Sequence, residues 1–118
     1  MERQTHPAPD CAAEIVPGTL SMLILKTLAN GTMHGAAIAE SIHRASGGAL
    51  RVQEGALYPA LHKLQLRKWL AVEAGLSEHR RHAKFYRLTD EGARALSEEH
   101  ARWTRMTEAI TQVMETRA

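Results

Sequence analysis

The sequence predicts a mainly α-helical fold with one small β-hairpin, in the order helix, helix, helix, hairpin, long helix. Two observations predict this class. Apolar residues recur at helical spacing in four separate segments, whereas two short segments, 69–73 and 83–88, have strand-like composition. At 118 residues, the chain has room for one domain and one additional helix.

The first helix is expected over about residues 17–29. Pro17 suits the first helical turn, where its missing N–H group would have no helical acceptor in any case. The apolar side chains then follow in one stripe, formed by Leu20, Leu23, Ile24 and Leu28. Asn30 and Gly31 give a strong stop signal after it.

The second helix is expected over about residues 34–46. Its alanines keep it slim, so that it can pack closely against its neighbours, and the pair Gly47-Gly48 ends it. Its apolar face consists of Ile38, Ile42 and Ala45. Residues 50–52 are interpreted as a very short strand.

The third helix is expected over about residues 54–68, and its two faces differ. A leucine stripe must face the core and consists of Leu57, Leu61 and Leu64. At about 100° per residue, the opposite face carries Gly55, Tyr58, Pro59, His62, Lys63 and Leu66. Because Pro59 lacks an N–H group and is unfavourable inside a helix, it favours a helix that begins as late as Gly55.

The strand segments 69–73 and 83–88 predict a hairpin with a long, polar and basic connection at about residues 75–82. In the second strand, Tyr86 and Leu88 share one face. Three helices followed by a two-stranded wing form the winged helix-turn-helix arrangement.

The last helix is expected to begin after Thr89, a good N-cap, and to extend to about Glu115. Asp90 and Glu91 lie in its first turn, where the helix dipole favours acids. Glu99 interrupts an apolar seam with the a/d spacing of a coiled coil, formed by Leu96, Trp103, Met106, Ile110 and Val113. The seam predicts dimerisation through this helix.

These elements divide the chain into three parts. Residues 1–16 are expected to be a flexible N-terminal tail, residues 17–88 a winged helix-turn-helix domain and residues 89–118 a C-terminal dimerisation helix. A long helix outside so small a domain needs a partner to bury its apolar seam.

The distribution of charge is more informative than the net charge of +2, which arises from 15 Lys+Arg and 13 Asp+Glu. Residues 62–68 contain four basic or potentially basic side chains, residues 79–87 contain six, and neither run contains an acid. A single charge run is more often a solvated surface. Two acid-free runs, on the helix and loop that a winged helix presents to DNA, favour nucleic-acid binding.

DNA recognition needs hydrogen-bonding side chains on an exposed helix for the base edges, and cations beside it for the phosphates. The third helix supplies the first group and the wing supplies the second, which also suits a narrow minor groove. The predicted DNA-binding residues are Gln53, Tyr58, His62, Lys63, Arg80, Arg81 and Lys84.

Other function classes find little support. No nucleophile–base pair, glycine-rich phosphate loop or carboxylate pair stands out, so neither an enzyme nor a cofactor is expected. The seven histidines are scattered, and the single cysteine, Cys11, permits neither an intrachain disulfide nor a multi-cysteine zinc site. No stretch approaches the roughly 18 apolar residues of a membrane span. The simplest compartment is the cytoplasm.

Three motifs resemble the PadR family of transcriptional regulators. The first is Pro17-Gly18-Thr19-Leu20 with Leu23 and Leu25, followed by His34-Gly35. The second, residues 52–64, is similar to the family's glycine-x-leucine-tyrosine-proline-x-leucine motif, which tolerates the proline at position 59. The third, residues 83–92, resembles the family's second wing strand and the start of its final helix. Together they cover about residues 17–115 in the family's order.

The resemblance implies a homodimer whose two recognition helices contact a roughly palindromic operator in double-stranded DNA. It implies repression, often relieved by a small aromatic or hydrophobic effector. In some short family members with a single C-terminal helix, an aromatic residue on that helix lines a pore at the dimer centre. Trp103, with Met106 and Ile110, is the corresponding candidate effector site. The alternative for Trp103 is a packing residue of the helix seam.

A rival function from another class is a winged-helix module for protein–protein contact that has no DNA target and whose basic loop docks on an acidic partner. An RNA-binding winged domain is a third option. A gel shift with the protein's own upstream DNA at two salt concentrations distinguishes the first two functions, because only the regulator should give a specific band.

Overall fold

The computed structural model describes residues 18–117, which form four helices and a three-stranded antiparallel sheet. β3 is the central strand, between β1 and β2. This confirms the mainly helical fold with a small hairpin and adds a third strand. Pro17, Cys11 and the expected tail, residues 1–16, lie outside the described residues. The elements are α1 (Thr19–Leu28), β1 (Met33–His34), α2 (Gly35–Ala45), α3 (Glu54–Leu66), β2 (Leu70–Leu76), β3 (His82–Leu88) and α4 (Asp90–Met114).

Side-chain caps set the starts of α2 and α4. The Oγ1 atom of Thr89 accepts a hydrogen bond from the Gly92 N–H group at 3.0 Å, in the N-cap role expected from the sequence. His34 has the same role for α2, because its Nδ1 atom accepts from the Ala37 N–H group at 3.2 Å. The second helix therefore begins at Gly35, directly after its cap.

The strand expected over residues 50–52 does not form. The N–H group of Leu50 donates to Ser46 Oγ at 2.9 Å, and its carbonyl oxygen lies 3.1 Å from His43 Nδ1. Because side chains from the end of α2 engage both backbone groups, neither is available for a strand ladder. The short strand is β1 instead, which pairs with β3.

α3 contains Pro59 and nevertheless begins at Glu54 rather than at the later start that the proline favours. Gln53 is its N-cap, and the Leu57 N–H group donates to the Gln53 carbonyl oxygen at 2.9 Å. The first turn is thus closed before the proline is reached, and Pro59 removes only a later hydrogen bond.

The hairpin is more regular than the sequence predicts. β2 and β3 pair along their whole length of seven residues each, so the connection is residues 77–81 and not the longer loop expected over 75–82. Gly75 permits the extension, because a Cβ atom at that position would lie 3.0 Å from the ring of Phe85 on the neighbouring strand.

The core is built from one face of each helix together with the inner side of the wing. The leucine stripe of α3 packs with apolar residues of α1 and α2, as the helical periodicity predicts. The buried members are Ile24, Leu25, Leu28, Ile38, Ile42, Leu57, Leu61, Leu64, Leu70, Tyr86 and Ala95.

A hydrogen-bonded junction joins the C-terminal end of α3 to the start of α4. After α3, Lys68 adopts a left-handed φ of 66°, and the chain turns into β2. The single hydroxyl proton of Thr89 is shared between the carbonyl oxygens of Lys68 and Trp69, which lie 2.8 Å and 3.0 Å from Oγ1, and the Thr89 N–H group donates to the Trp69 carbonyl oxygen at 3.1 Å. Gly92 packs against the Trp69 carbonyl group, and a Cβ atom there would overlap the Trp69 oxygen. The two helices are thus linked by Thr89, through its side chain and its N–H group, and by the backbone carbonyl groups of Lys68 and Trp69.

Candidate nucleic-acid interface

The two faces of α3 point in the directions that the sequence predicts. Each residue of the leucine stripe is at most 1 % exposed. Gln53, His62 and Lys63 are exposed on the rest of the helix surface. The protomer therefore leaves the reverse face of α3 open, as contact with a DNA groove requires.

Tyr58 is on the open side of α3 but also packs against α2. It is 44 % exposed, and its ring lies against Gly35, where an added Cβ atom would be 2.7 Å from the hydroxyl oxygen and 2.8 Å from the nearest ring carbon. Only glycine permits this approach. The contact was not predicted, although the His34-Gly35 pair at the start of the second helix is a signal for a close contact there.

The tip of the wing is a tight turn that carries two arginines. The Ser77 N–H group donates to the Arg81 carbonyl oxygen, and the Arg80 N–H group donates to the Ser77 carbonyl oxygen, both at 2.8 Å. Arg80 adopts a left-handed φ of 59°. Arg80, Arg81 and Lys84 are exposed, and within residues 18–117 none of them forms an ion pair. Their charges are available for phosphate groups.

A cleft of about 610 Å³, here called the wing cleft, separates the wing from the start of α2. Its walls include Gly35, Tyr58, Arg81, Lys84 and Tyr86. The structure thus brings Tyr58 of α3 together with two of the three predicted wing cations. The remaining predicted contacts lie outside the cleft. They are Gln53 at the N-cap of α3, His62 and Lys63 on α3, and Arg80 at the wing tip.

Tyr86 forms the inner wall of the wing cleft and belongs to the core. It is 6 % exposed. Burial raises the pKa of Tyr86 above its ordinary value of 10.0, and the nearby Tyr58 raises it further. A tyrosine hydroxyl is already protonated at neutral pH, and the raised pKa keeps that of Tyr86 protonated to a higher pH than usual.

The apolar seam of α4 faces solvent in the protomer. Trp103 is 42 %, Met106 56 %, Ile110 51 % and Val113 71 % exposed. Leu96 differs from these four, because it is half-buried and packs against the core of its own protomer. The four exposed side chains form a contiguous patch of the kind that marks a protein or ligand contact.

Two largely apolar grooves lie between α1 and α4, and Trp103 borders both. One, of about 490 Å³, also includes Leu96 and His100. The other, of about 330 Å³, includes Met106 and Ile110. The structure therefore brings the three residues of the candidate effector site together along one groove.

The described part of the chain contains neither a cluster of metal-ligating side chains nor a helix that could span a membrane. In residues 18–117, no three side chains among His, Cys, Asp and Glu converge as metal ligands would. None of the helices there is both long and apolar enough to cross a membrane.

Comparison with known proteins identifies the family to which this chain is similar, and a family model and a solved structure agree on it. A model of the transcriptional regulator PadR-like family matches residues 24–98. A PadR family transcriptional regulator from Eggerthella lenta is 31 % identical, with a TM-score of 0.73 over 85 % of each chain. A transcriptional regulator from Clostridium thermocellum has the same fold, with a TM-score of 0.76 and 22 % identity over 85 % of this chain and 97 % of that one. An uncharacterised protein of Lysinibacillus sphaericus is 25 % identical over 103 residues, which are 87 % of this chain and 94 % of the relative.

Proposed function

Because the chain belongs to the PadR-like family of transcriptional regulators, a family of regulators and not of enzymes, we propose that it is a sequence-specific repressor that binds DNA as a homodimer in the cytoplasm. The observation that carries the DNA contact is the open reverse face of α3 behind a fully buried leucine stripe. In this proposal residues 17–88 are the DNA-binding unit and residues 89–118 the dimerisation helix.

The contacts divide into two groups. On α3, Gln53, His62 and Lys63 approach base edges in the major groove. The sequence placed Tyr58 in this first group, but its ring packs against Gly35 at the start of α2, so we assign it to the second group. With the wing residues Arg80, Arg81 and Lys84, it contacts the sugar–phosphate backbone or the minor groove. The second group positions the protein, whereas the first group distinguishes sequences.

The dimer uses the exposed seam of α4, with α1 beside it. Leu96, Trp103, Met106, Ile110 and Val113 have coiled-coil spacing, and the last four are exposed in the protomer. Burying them against a second copy removes apolar surface from water and relates the two recognition helices by a two-fold axis. The corresponding operator in double-stranded DNA is palindromic.

The same helix supplies an effector site. A small aromatic or hydrophobic molecule binds beside Trp103, Met106 and Ile110 and releases the repressor from DNA. Two grooves with mainly apolar walls support this assignment. In a Trp69→Phe variant, which leaves Trp103 as the single tryptophan, planar aromatic compounds should quench its fluorescence. Unchanged emission at millimolar ligand contradicts an effector site there.

The decisive experiment for DNA binding is a gel shift with the DNA upstream of the gene for this chain, at two salt concentrations and against an unrelated duplex of equal length. A repressor gives a band that unrelated DNA does not displace and that weakens with salt. A winged-helix module that serves only for protein contact gives no specific band at either salt concentration, and that result rejects the proposal.

A further inference from the structure

We propose that the wing cleft binds one oxyanion between the start of α2, the hydroxyl groups of Tyr58 and Tyr86, and the cations Arg81 and Lys84. Tyr58, Arg81 and Lys84 are also proposed contacts to the DNA backbone or minor groove, and the site adds to them the N-terminus of α2 and the Tyr86 hydroxyl group. Its regulatory meaning rests on the proposed function, because the anion is either a backbone phosphate of bound DNA or the phosphate or carboxylate group of a small molecule.

The first support is the N-terminus of α2, which borders the cleft. First-turn N–H groups of a helix have no intrahelical acceptor and carry partial positive charge. In α2, the His34 side chain caps only the Ala37 N–H group, and the first turn contains no acid. The helix has 11 residues, long enough for its dipole to favour an anion at this end.

The second and independent support is the hydroxyl group of Tyr86. The residue lines the cleft and is 6 % exposed, and within residues 18–117 its hydroxyl group has no hydrogen-bond partner. Buried polar groups are almost always hydrogen-bonded. An oxyanion in the cleft provides the acceptor that this proton donor lacks.

The third support is the close packing of Tyr58 on Gly35. The distance of 2.7 Å between the Tyr58 oxygen and an ideal Cβ position on Gly35 places this second hydroxyl group at the first residue of α2. A methyl group on Gly35 would displace the ring. The glycine therefore keeps the Tyr58 hydroxyl group beside the helix N-terminus.

The charges of the cleft favour an anion. Arg81 and Lys84 are cations without ion-pair partners in the described chain. Two acids also line the cleft, but Glu40 is paired with Arg44 at 3.2 Å and Glu78 is exposed in the wing turn. At about 610 Å³ the cleft is larger than one phosphate group, so it has room for the sugar or the small molecule that carries the anion.

The site is tested first on the free protein, without DNA. Inorganic phosphate is titrated at constant ionic strength, with chloride as the balancing salt, while the amide resonances of Gly35 and Ala36 are followed by NMR. We expect saturable shifts in the wild type and affinity about fivefold weaker in Tyr86→Phe, as for the loss of one hydrogen bond. Lys84→Ala should also weaken binding.

The matched control is Arg87→Ala, which removes an exposed cation from the opposite face of β3 and should leave phosphate affinity unchanged. Thermal unfolding of Tyr86→Phe verifies that the variant is folded. Shifts that do not saturate, or equal phosphate affinity for Tyr86→Phe and the wild type, overturn the proposal.

A second arm identifies the source of the anion. DNA affinity is measured in phosphate and in chloride at equal ionic strength. Stronger inhibition by phosphate in the wild type, lost in Tyr86→Phe, assigns the site to a DNA phosphate. If the free protein binds phosphate but its DNA affinity is the same in phosphate and in chloride, the anion site is assigned to a small molecule. A protein that binds phosphate but no DNA keeps the anion site and rejects the repressor.

Discussion

At the scale of single residues, the two arginines of the wing tip differ in their surroundings. Arg81 borders the wing cleft, whereas Arg80 projects outside it from a backbone with φ of 59°. Both are exposed and unpaired within the described residues. Because they point to different places, we expect the two arginines to contact two different phosphate groups rather than the same one.

Replacing both arginines by alanine, Arg80→Ala with Arg81→Ala, should weaken binding to every DNA sequence to a similar degree. Each lost phosphate contact lowers the slope of log affinity against log salt by about 0.9. Fluorescence anisotropy at several salt concentrations, on an operator and on an unrelated duplex, measures the slope. An unchanged affinity and slope would show that the wing does not touch DNA.

Tyr86 should make stability depend on pH in the alkaline range. Its folded-state pKa lies above the ordinary value of 10.0, so the stabilisation is fully present below that value and is lost as the pH rises through the folded-state pKa. Urea unfolding between about pH 9 and about pH 11 should therefore show a steeper loss in the wild type than in Tyr86→Phe. Because Tyr58 is present in both proteins, parallel curves would contradict the assignment.

At the scale of elements, the junction between α3 and α4 leaves no room for a side chain at position 92. Gly92→Ala places a methyl group against the Trp69 carbonyl oxygen and should destabilise the protein by about 1–3 kcal/mol. The matched control is Gly55→Ala in the first turn of α3, where no atom lies within 4 Å of the added Cβ atom. That change should be neutral or stabilising by up to about 1 kcal/mol. Equal unfolding midpoints for both variants would show that the junction is not tightly packed.

The seam of α4 should fail as an interface when it receives a charge. Ile110→Glu places a carboxylate in the proposed dimer contact, where an unpaired buried charge costs about 3–5 kcal/mol, so the dissociation constant of the dimer should rise by at least about 100-fold. Ala109→Glu, on the neighbouring exposed position outside the seam, is the control. Analytical ultracentrifugation compares the two. A stable Ile110→Glu dimer would place the interface elsewhere.

Elements with local periodicity could be predicted from the sequence, whereas elements formed by distant pairing could not. The leucine stripe of α3 is one example of success, because spacing alone decides which side is apolar. β1 was missed because two residues carry no period and are stabilised by β3, some fifty positions away. The false strand over residues 50–52 has an apolar pattern, but Ser46 and His43 bind the backbone of Leu50 first.

The same limit applies to the candidate site. The open face of α3 and the basic wing follow from residue types in sequence order. The wing cleft does not, because its walls come from the start of α2, the middle of α3 and the strand β3. Gly35 and Tyr58 are separated by more than twenty positions, and only packing shows that the glycine makes space for the ring.

At the scale of the whole molecule, the protomer is elongated, with principal extents of 55 × 34 × 22 Å. α4 contributes much of this length, since its 25 residues span about 37 Å. In the proposed dimer, two crossing helices of this length fix the separation and the relative rotation of the recognition helices.

Operator spacing should therefore be restrictive. Half-sites for such a dimer lie about one helical turn of DNA, or a multiple of it, apart. Inserting about five base pairs between the half-sites turns one of them to the opposite side of the duplex and should reduce binding to the non-specific level. Inserting one full helical turn leaves both half-sites on the same side of the duplex. Gel shifts on the three duplexes measure this. Equal binding to all three would indicate that single protomers bind independently.

The threonine bridge from Thr89 to the carbonyl groups of Lys68 and Trp69 has a mechanical consequence. One residue separates β3 from α4, and its side chain and N–H group are both occupied, so the joint has almost no slack. A tilt of about five degrees at this joint swings the far end of a helix about 37 Å long by roughly 3 Å. In the proposed dimer, a ligand bound between the paired α4 helices and the separation of the two recognition helices would therefore be coupled through this joint, in which Thr89 is the connecting residue.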